Sequence, residues 1–242
     1  MSQPALPFGP PGFQRDGFLV SASNAGALHA VDRWRDWAGP VAALWGEAGS
    51  GKSHLAAIWA HDAGAVLLDG PDLDGSAMQA LMAAPRFVLD GADQAPDPEL
   101  LLHLLIGLEA APQRRALLTG VAAPALWAHA PKDLVSRLTA LPAIAIGAPD
   151  DALLARVLRR LAAARGLALE PETLAYLGAR MERSFPAAAA IVDAIEAQLG
   201  PAGRGRRAGV TLARRALEQL TAFDQSSLDL SGGVGEMSGH DR

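Results

Sequence analysis

The sequence contains no cysteine, which excludes disulfide bonds, thiolate chemistry and cysteine-ligated metal sites. Its six histidines are scattered without the spacing of metal ligands, and we interpret them as structural or surface residues. No apolar stretch reaches the ~18 residues needed to cross a membrane without a charge. The N-terminus also lacks the basic and then apolar order of a secretory signal. These absences predict a soluble cytoplasmic protein with no membrane contact.

Positive charge is scarce, because the formal net charge is −5 at pH 7. This balance argues against strong direct binding of nucleic acid. A basic cluster near the C-terminus is the exception, and we interpret it as a solvated loop and helix flank, since most charge runs are solvated. The cluster consists of Arg204, Arg206, Arg207, Arg214 and Arg215.

Aromatic residues make up only 5% of the chain, although 50% of it is hydrophobic. A core built mainly from alanine and leucine is typical of a helix-rich protein. The length of 242 residues fits one α/β domain with a small appendage.

Short apolar segments alternate with helical ones in the first 148 residues, which predicts a five-stranded parallel sheet covered by helices on both faces. The predicted strands span residues 41–45, 65–68, 86–90, 114–119 and 143–146. A helix is predicted from a cap at Ser23 or Asn24 to about Trp37. We divide the chain into an extended arm (1–17), an α/β domain (18–148), an all-α lid of four helices (149–223) and a disordered tail (224–242).

Residues 46–53, Gly-Glu-Ala-Gly-Ser-Gly-Lys-Ser, match the phosphate-binding loop pattern at every fixed position. The segment joins a predicted strand to a predicted helix, where free N–H groups and the helix dipole favour phosphate. Lys52 offers a compact positive charge to the outer phosphates, and the Ser53 hydroxyl is suited to ligate Mg²⁺. The sequence therefore predicts nucleotide binding.

A carboxylate for the same site is predicted at Asp90, which ends the apolar strand at residues 86–90. At the carboxyl edge of a parallel sheet, Asp90 is suited to hold Mg²⁺. Many ATPases of this architecture carry a second acid at the next position, but here that residue is Gly91. Asp93 either approaches the site or serves as a turn residue, and intrinsic hydrolysis is expected to be slow.

Two further residues have two interpretations each. Thr119 ends the fourth strand, where its hydroxyl either senses the γ-phosphate or makes a strand-end hydrogen bond. Arg137 lies four residues after Asp133, so the residues alone favour a surface salt bridge between them.

The order of these parts resembles the AAA+ ATPases of the DnaA group, and more narrowly its Hda-type regulators, over roughly residues 3–222. Residues 17–20 followed by Asn24 resemble the adenine-side segment of the group, and residues 133–138 resemble the segment with its arginine finger. Residues 3–8, Gln-Pro-Ala-Leu-Pro-Phe, are similar to the sliding-clamp-binding peptide that begins Hda-type proteins.

The resemblance implies ADP or ATP with Mg²⁺ as ligands, and it makes Arg137 an arginine finger that acts in trans. The implied nucleotide contacts are Leu19, Val20, Gly46, Glu47, Ala48, Gly49, Ser50, Gly51, Lys52, Ser53, His54 and Arg183, with Mg²⁺ at Ser53 and Asp90. The implied clamp contacts are Gln3, Leu6, Pro7 and Phe8. Pro186 departs from the group, because it occupies the position of a nucleotide-sensing arginine in the third lid helix.

The implied function is a clamp-tethered, replisome-associated bacterial adaptor that stimulates hydrolysis of ATP bound to the initiator DnaA. The partners are then the β subunit of the DNA polymerase III sliding clamp, the AAA+ domain of DnaA and possible further copies of this chain. No helix-turn-helix pattern follows the lid, which argues against an initiator role. An autonomous ATPase loader or motor, acting on DNA or a helicase, is the main alternative, and a P-loop small-molecule kinase is a third.

Overall fold

The computed structural model describes residues 15–127, 131–200 and 206–232. The chain divides into two compact units between Asp150 and Asp151, next to the boundary predicted near residue 148. None of the helices in these described ranges has the length and apolar character needed to span a bilayer.

The first unit is built on a five-stranded parallel sheet, as the sequence predicts, and its strand order is β2-β3-β4-β1-β5. The strands are β1 (Val41–Trp45), β2 (Val66–Asp69), β3 (Arg86–Asp90), β4 (Arg115–Gly120) and β5 (Ala143–Ala145). The helices are α1 (Ala25–Asp32), α2 (Lys52–Ala63), α3 (Gly75–Ala83), α4 (Pro98–Glu109) and α5 (Lys132–Ala140).

Both faces of this sheet are buried, because successive residues of each strand point to opposite faces and both sets are apolar. One set packs in a core with α3, α4 and α5, and it comprises Val41, Phe87, Leu89, Ala116 and Leu118. The other packs in a core with α1 and α2, and it comprises Ala42, Leu44, Val88 and Leu117.

The helix predicted to reach Trp37 ends at Asp32, and a short 3₁₀ helix follows at Trp34–Asp36. The cause is tertiary packing around Trp59, whose ring centroid lies 6.0 Å from that of Trp34 and 5.6 Å from that of Trp37. The indole of Trp37 also donates a hydrogen bond to the carbonyl oxygen of Ala30 at 3.0 Å. Seven residues of unbroken helix would separate these two residues by about 10 Å along the axis.

The second unit has its own apolar core and contains α6 (Asp151–Ala164), α7 (Pro171–Gly178), α8 (Phe185–Leu199) and α9 (Val210–Gly232). The predicted all-α lid needs one correction, because short strands β6 (Leu167–Leu169) and β7 (Arg206–Ala208) pair in parallel. A second correction concerns the tail predicted to be disordered from residue 224, because α9 continues to Gly232.

Candidate nucleotide-binding site

The predicted phosphate-binding loop connects the end of β1 to the start of α2 at Lys52. Gly49 and Gly51 have φ values of 71° and 100°, a backbone conformation that side chains disfavour. The buried Ser50 hydroxyl has no hydrogen-bond partner among the described atoms. The first N–H groups of α2 have no partner within the helix, so the loop and helix end present donors suited to a phosphate.

Gly46 opens the loop in a position that no side chain fits. A Cβ atom there would lie 2.3 Å from the carbonyl oxygen of Ile146, the residue that follows β5. The close approach fixes the start of the loop against the neighbouring strand.

Lys52 is buried, and its ammonium group donates hydrogen bonds to the carbonyl oxygens of Gly46 and Glu47 at 2.7 and 2.9 Å. Burial lowers the pKa of Lys52, while the carboxylates of Asp90 and Asp93 act to raise it. The side chain is thus folded over the loop, and it lies in the electrostatic field of both acids at the end of β3.

Asp90 and Thr119 meet at the carboxyl edge of the sheet, because β3 and β4 are neighbours in register. The fully buried Thr119 hydroxyl donates to a carboxylate oxygen of Asp90 at 2.5 Å and accepts the N–H of Gly91 at 2.8 Å. Thr119 therefore makes the strand-end hydrogen bond that was one of its two interpretations. The same bond orients the carboxylate predicted to hold Mg²⁺.

Asp93 lies in the short 3₁₀ helix Ala92–Gln94 that follows Gly91, whose φ is 73°. One of its carboxylate oxygens accepts the N–H of Val121 at 2.7 Å, which links the turn after β3 to the loop after β4. The other oxygen is buried without a hydrogen-bond partner among the described atoms. Asp93 serves as a turn residue, and its negative charge also acts to raise the pKa of Lys52.

The side-chain oxygens of Asp90 and Ser53 are suited to a magnesium ion that is held mainly by nucleotide and water. No group of three histidine or acidic side chains in the described ranges is arranged to hold a metal. Mg²⁺ in nucleotide sites needs only one or two protein oxygens, because phosphates and waters complete its shell. Asp90 and the exposed Ser53 are the candidates for those oxygens.

The turn that carries Asp90 is held by close backbone contact, which gives a first testable prediction. A Cβ atom at Gly70 would lie 2.0 Å from the carbonyl oxygen of Gly91. We expect Gly70→Ala to lower the free energy of unfolding by about 1–3 kcal/mol, as overpacking does. Denaturant titration measures it, with Gly75→Ala as the control because no atom lies within 4 Å of a Cβ there. Equal stability of the two variants would contradict the contact.

The predicted adenine-side segment lies next to the phosphate-binding helix. The Phe18 ring packs edge-on against His54, with ring centroids 5.3 Å apart. Asn24 does not cap α1 through its side chain, which instead donates to the Leu19 carbonyl at 3.0 Å and accepts the Ser21 N–H at 2.8 Å. Leu19 is half-buried and Val20 is exposed. No local pattern predicts these contacts, because each depends on how the chain before α1 folds back on itself or against α2.

Arg137 lies away from this site. In the β4–α5–β5 crossover, α5 runs back towards the edge where the strands begin, whereas the phosphate-binding loop follows the end of β1 at the opposite edge. The guanidinium pairs with Glu109, the last residue of α4, and with Asp133 at 3.4 Å. The salt bridge expected from the residues alone is therefore present, and Arg137 does not join the cluster of Lys52 and Asp90.

Arg183 and Pro186 belong to the second unit. The Arg183 guanidinium lies 2.9 Å from a carboxylate oxygen of Asp151. Pro186 occupies the first turn of α8, where Ser184 caps the helix by accepting the N–H of Ala187 at 3.2 Å. The predicted clamp-binding residues Gln3, Leu6, Pro7 and Phe8 lie outside the described residues.

The fold is shared with solved AAA+ structures. Domain III of the Thermotoga maritima replication initiation protein DnaA is similar with a TM-score of 0.69 and 13% identity, covering 87% of this chain and 97% of that one. AMPPCP-bound DnaA from Aquifex aeolicus gives 0.65 and 15%, covering 90% and 71%. The Thermotoga maritima RuvB Holliday junction branch migration motor gives 0.63 and 17%, covering 86% and 72%.

No protein-family model matches the sequence, and the search of curated proteins gives no match. At these identities the likeness to solved structures establishes the fold alone. The chain has the AAA+ fold, with an α/β unit followed by a helical one.

Proposed function

We propose that this chain is an adenine-nucleotide-binding AAA+ adaptor that stimulates hydrolysis of ATP bound to DnaA while tethered to a sliding clamp. The observation that carries the proposal is the position of Arg137. It is partly exposed, with 26% of its side chain accessible, and it lies at the sheet edge opposite its own phosphate-binding loop. An arginine in that position serves a partner's nucleotide rather than its own.

The chain's own site supports a regulatory role for its nucleotide. Gly46, Lys52 and the Asp90–Thr119 pair form a site for ADP or ATP with Mg²⁺, whereas the position after Asp90 holds a glycine. A site that retains nucleotide without rapid turnover is suited to hold the conformation in which Arg137 meets its partner.

The experiment mixes this protein with ATP-loaded DnaA, the clamp loaded on DNA, and each subset of these components. We expect DnaA-bound ATP to be hydrolysed much faster in the complete mixture than when the loaded clamp is omitted, because tethering raises the effective concentration. Hydrolysis that does not change when this protein is added would contradict the proposal.

The likeness to RuvB supports an autonomous loader or motor as a second candidate, and Asp93 is the acid that such an enzyme would use. This candidate predicts substantial ATP turnover by the isolated protein. The adaptor predicts little turnover without DnaA, so one steady-state measurement separates the two.

The tether gives a second prediction. In the proposed clamp-binding peptide, Leu6 fills an apolar cleft, so Leu6→Ala removes buried apolar surface worth about 2 kcal/mol. We expect roughly thirtyfold weaker binding to the clamp, measured by surface plasmon resonance on immobilised clamp. Leu126→Ala is the matched control, because Leu126 is a leucine of the first unit with 73% exposure. Unchanged clamp affinity of Leu6→Ala would exclude residues 3–8 as the tether.

A further inference from the structure

The second unit differs in charge from the rest of the chain. Residues 151–242 contain twelve arginines and eleven acidic residues, whereas residues 1–150 contain nine basic and fifteen acidic residues. The second unit is therefore close to neutral while residues 1–150 carry a formal charge of −6, so an anionic partner meets the least repulsion at the second unit.

Two arginines of this unit surround Tyr176, the single tyrosine of the chain. The guanidinium carbon of Arg180 lies 4.3 Å from the centre of the ring, and that of Arg214 lies 6.0 Å from it. Both arginines are exposed, and Tyr176 is half-buried between α7 and α9. Neither arginine forms an ion pair with a carboxylate of the described residues. Both guanidinium groups lie within cation–π range of the Tyr176 ring.

Other arginines of the unit are engaged within the protein. Arg206, part of the basic cluster found in the sequence, donates to the carbonyl oxygen of Gly200 at 2.5 Å. Arg207 faces Glu170 at 3.7 Å, and Arg165 pairs with two acids of α8. The basic cluster found in the sequence is therefore not one surface. Arg206 and Arg207 contact other groups of the protein, whereas Arg214 lies beside Tyr176.

We propose that Arg180 and Arg214 bind the phosphate backbone of duplex DNA. Arg180 donates one N–H to the carbonyl oxygen of Tyr176 at 3.5 Å, and the other N–H groups of a guanidinium stacked on a ring remain available for phosphate oxygens. Arg180 covers one face of the half-buried Tyr176 ring, so that face is closed to the stacking of an unpaired base. Duplex DNA has the higher linear charge density, so contacts made only to phosphates favour it over a single strand. The binding is weak and independent of sequence, in keeping with the negative charge of the whole chain.

The test is fluorescence anisotropy with a labelled 20-base-pair duplex and the full chain, without clamp or DnaA. We expect the double variant Arg180→Gln, Arg214→Gln to bind about tenfold more weakly at 50 mM salt than the wild type. Loss of two phosphate contacts also lowers the slope of log K against log salt by about 2. Because neither DnaA nor clamp is present, failure here leaves the adaptor proposal standing.

The matched control is Arg33→Gln, Arg35→Gln in the first unit. Arg35 is exposed and its guanidinium carbon lies 4.2 Å from the centre of the Trp34 ring, so the control removes an equal charge and a similar stacked arginine. The control should retain wild-type affinity and salt slope. Equal weakening by both double variants, tighter binding of a single strand, or equal competition by polyglutamate would overturn the proposal. So would no wild-type binding at 50 mM salt.

Discussion

Lys52→Ala is expected to reduce the affinity for ADP and ATP by about 10- to 100-fold. The variant loses the cation that is buried in the phosphate-binding loop, and a charge-assisted contact to phosphate contributes about 1.5–3 kcal/mol. It also leaves the carbonyl oxygens of Gly46 and Glu47 without their donor, so the loop loses the bonds that hold it over the site. Titration of a fluorescent ADP analogue measures the change.

Lys132→Ala is the matched control, because Lys132 is the only other lysine of the chain and is exposed at the start of α5. It should bind nucleotide as the wild type does. A second readout is thermal: ADP at 100 times its Kd stabilises a protein that binds it by about 2.7 kcal/mol. We expect that stabilisation in the wild type and in Lys132→Ala, but not in Lys52→Ala. Equal stabilisation of all three would show that nucleotide binds elsewhere.

The parts of the fold that the sequence predicts well are those encoded locally. Each central strand is a short, almost continuous apolar run, and both β1 and β3 have the predicted bounds. The end of α1 was predicted wrongly because its cause is Trp59, more than twenty residues further along the chain. The three-residue strands β6 and β7 are too short to show a period of two, so nothing in the pattern indicated them.

In the candidate site, too, features encoded by a continuous stretch of sequence are predicted, and features that depend on contacts between distant residues are not. The loop around Lys52 is a contiguous motif, so its place between β1 and α2 follows from the sequence. Asp90 and Thr119 were predicted separately, but their hydrogen bond depends on the register of β3 and β4. The contact of Gly70 with Gly91 arises because β2 and β3, which these residues follow, are neighbours in the sheet. No local pattern in the sequence predicts it.

Arg137→Ala is expected to abolish the stimulation of DnaA-bound ATP hydrolysis. An arginine supplied to a phosphoryl-transfer site neutralises developing charge and accelerates hydrolysis by about 10³–10⁵-fold. In the free protein Arg137 pairs with Glu109 and Asp133 at the surface, so it can exchange these partners for a phosphate at little cost. Single-turnover hydrolysis with loaded clamp measures the loss. Arg137→Lys should recover only part of the rate, because lysine keeps the charge without the planar fork.

Arg165→Ala separates the proposed catalytic role from the loss of a surface ion pair. The Arg165 side chain is 25% exposed and pairs with two acids, Asp193 and Glu196, much as Arg137 is 26% exposed and pairs with two. If Arg137 acts on the partner's nucleotide, Arg165→Ala keeps full stimulation, and Arg137→Ala loses it while retaining clamp and ADP binding. If both variants lose stimulation together with melting temperature, Arg137 contributes to stability alone. Full stimulation by Arg137→Ala would show that Arg137 is not the arginine finger and would remove the observation that carries the proposed function.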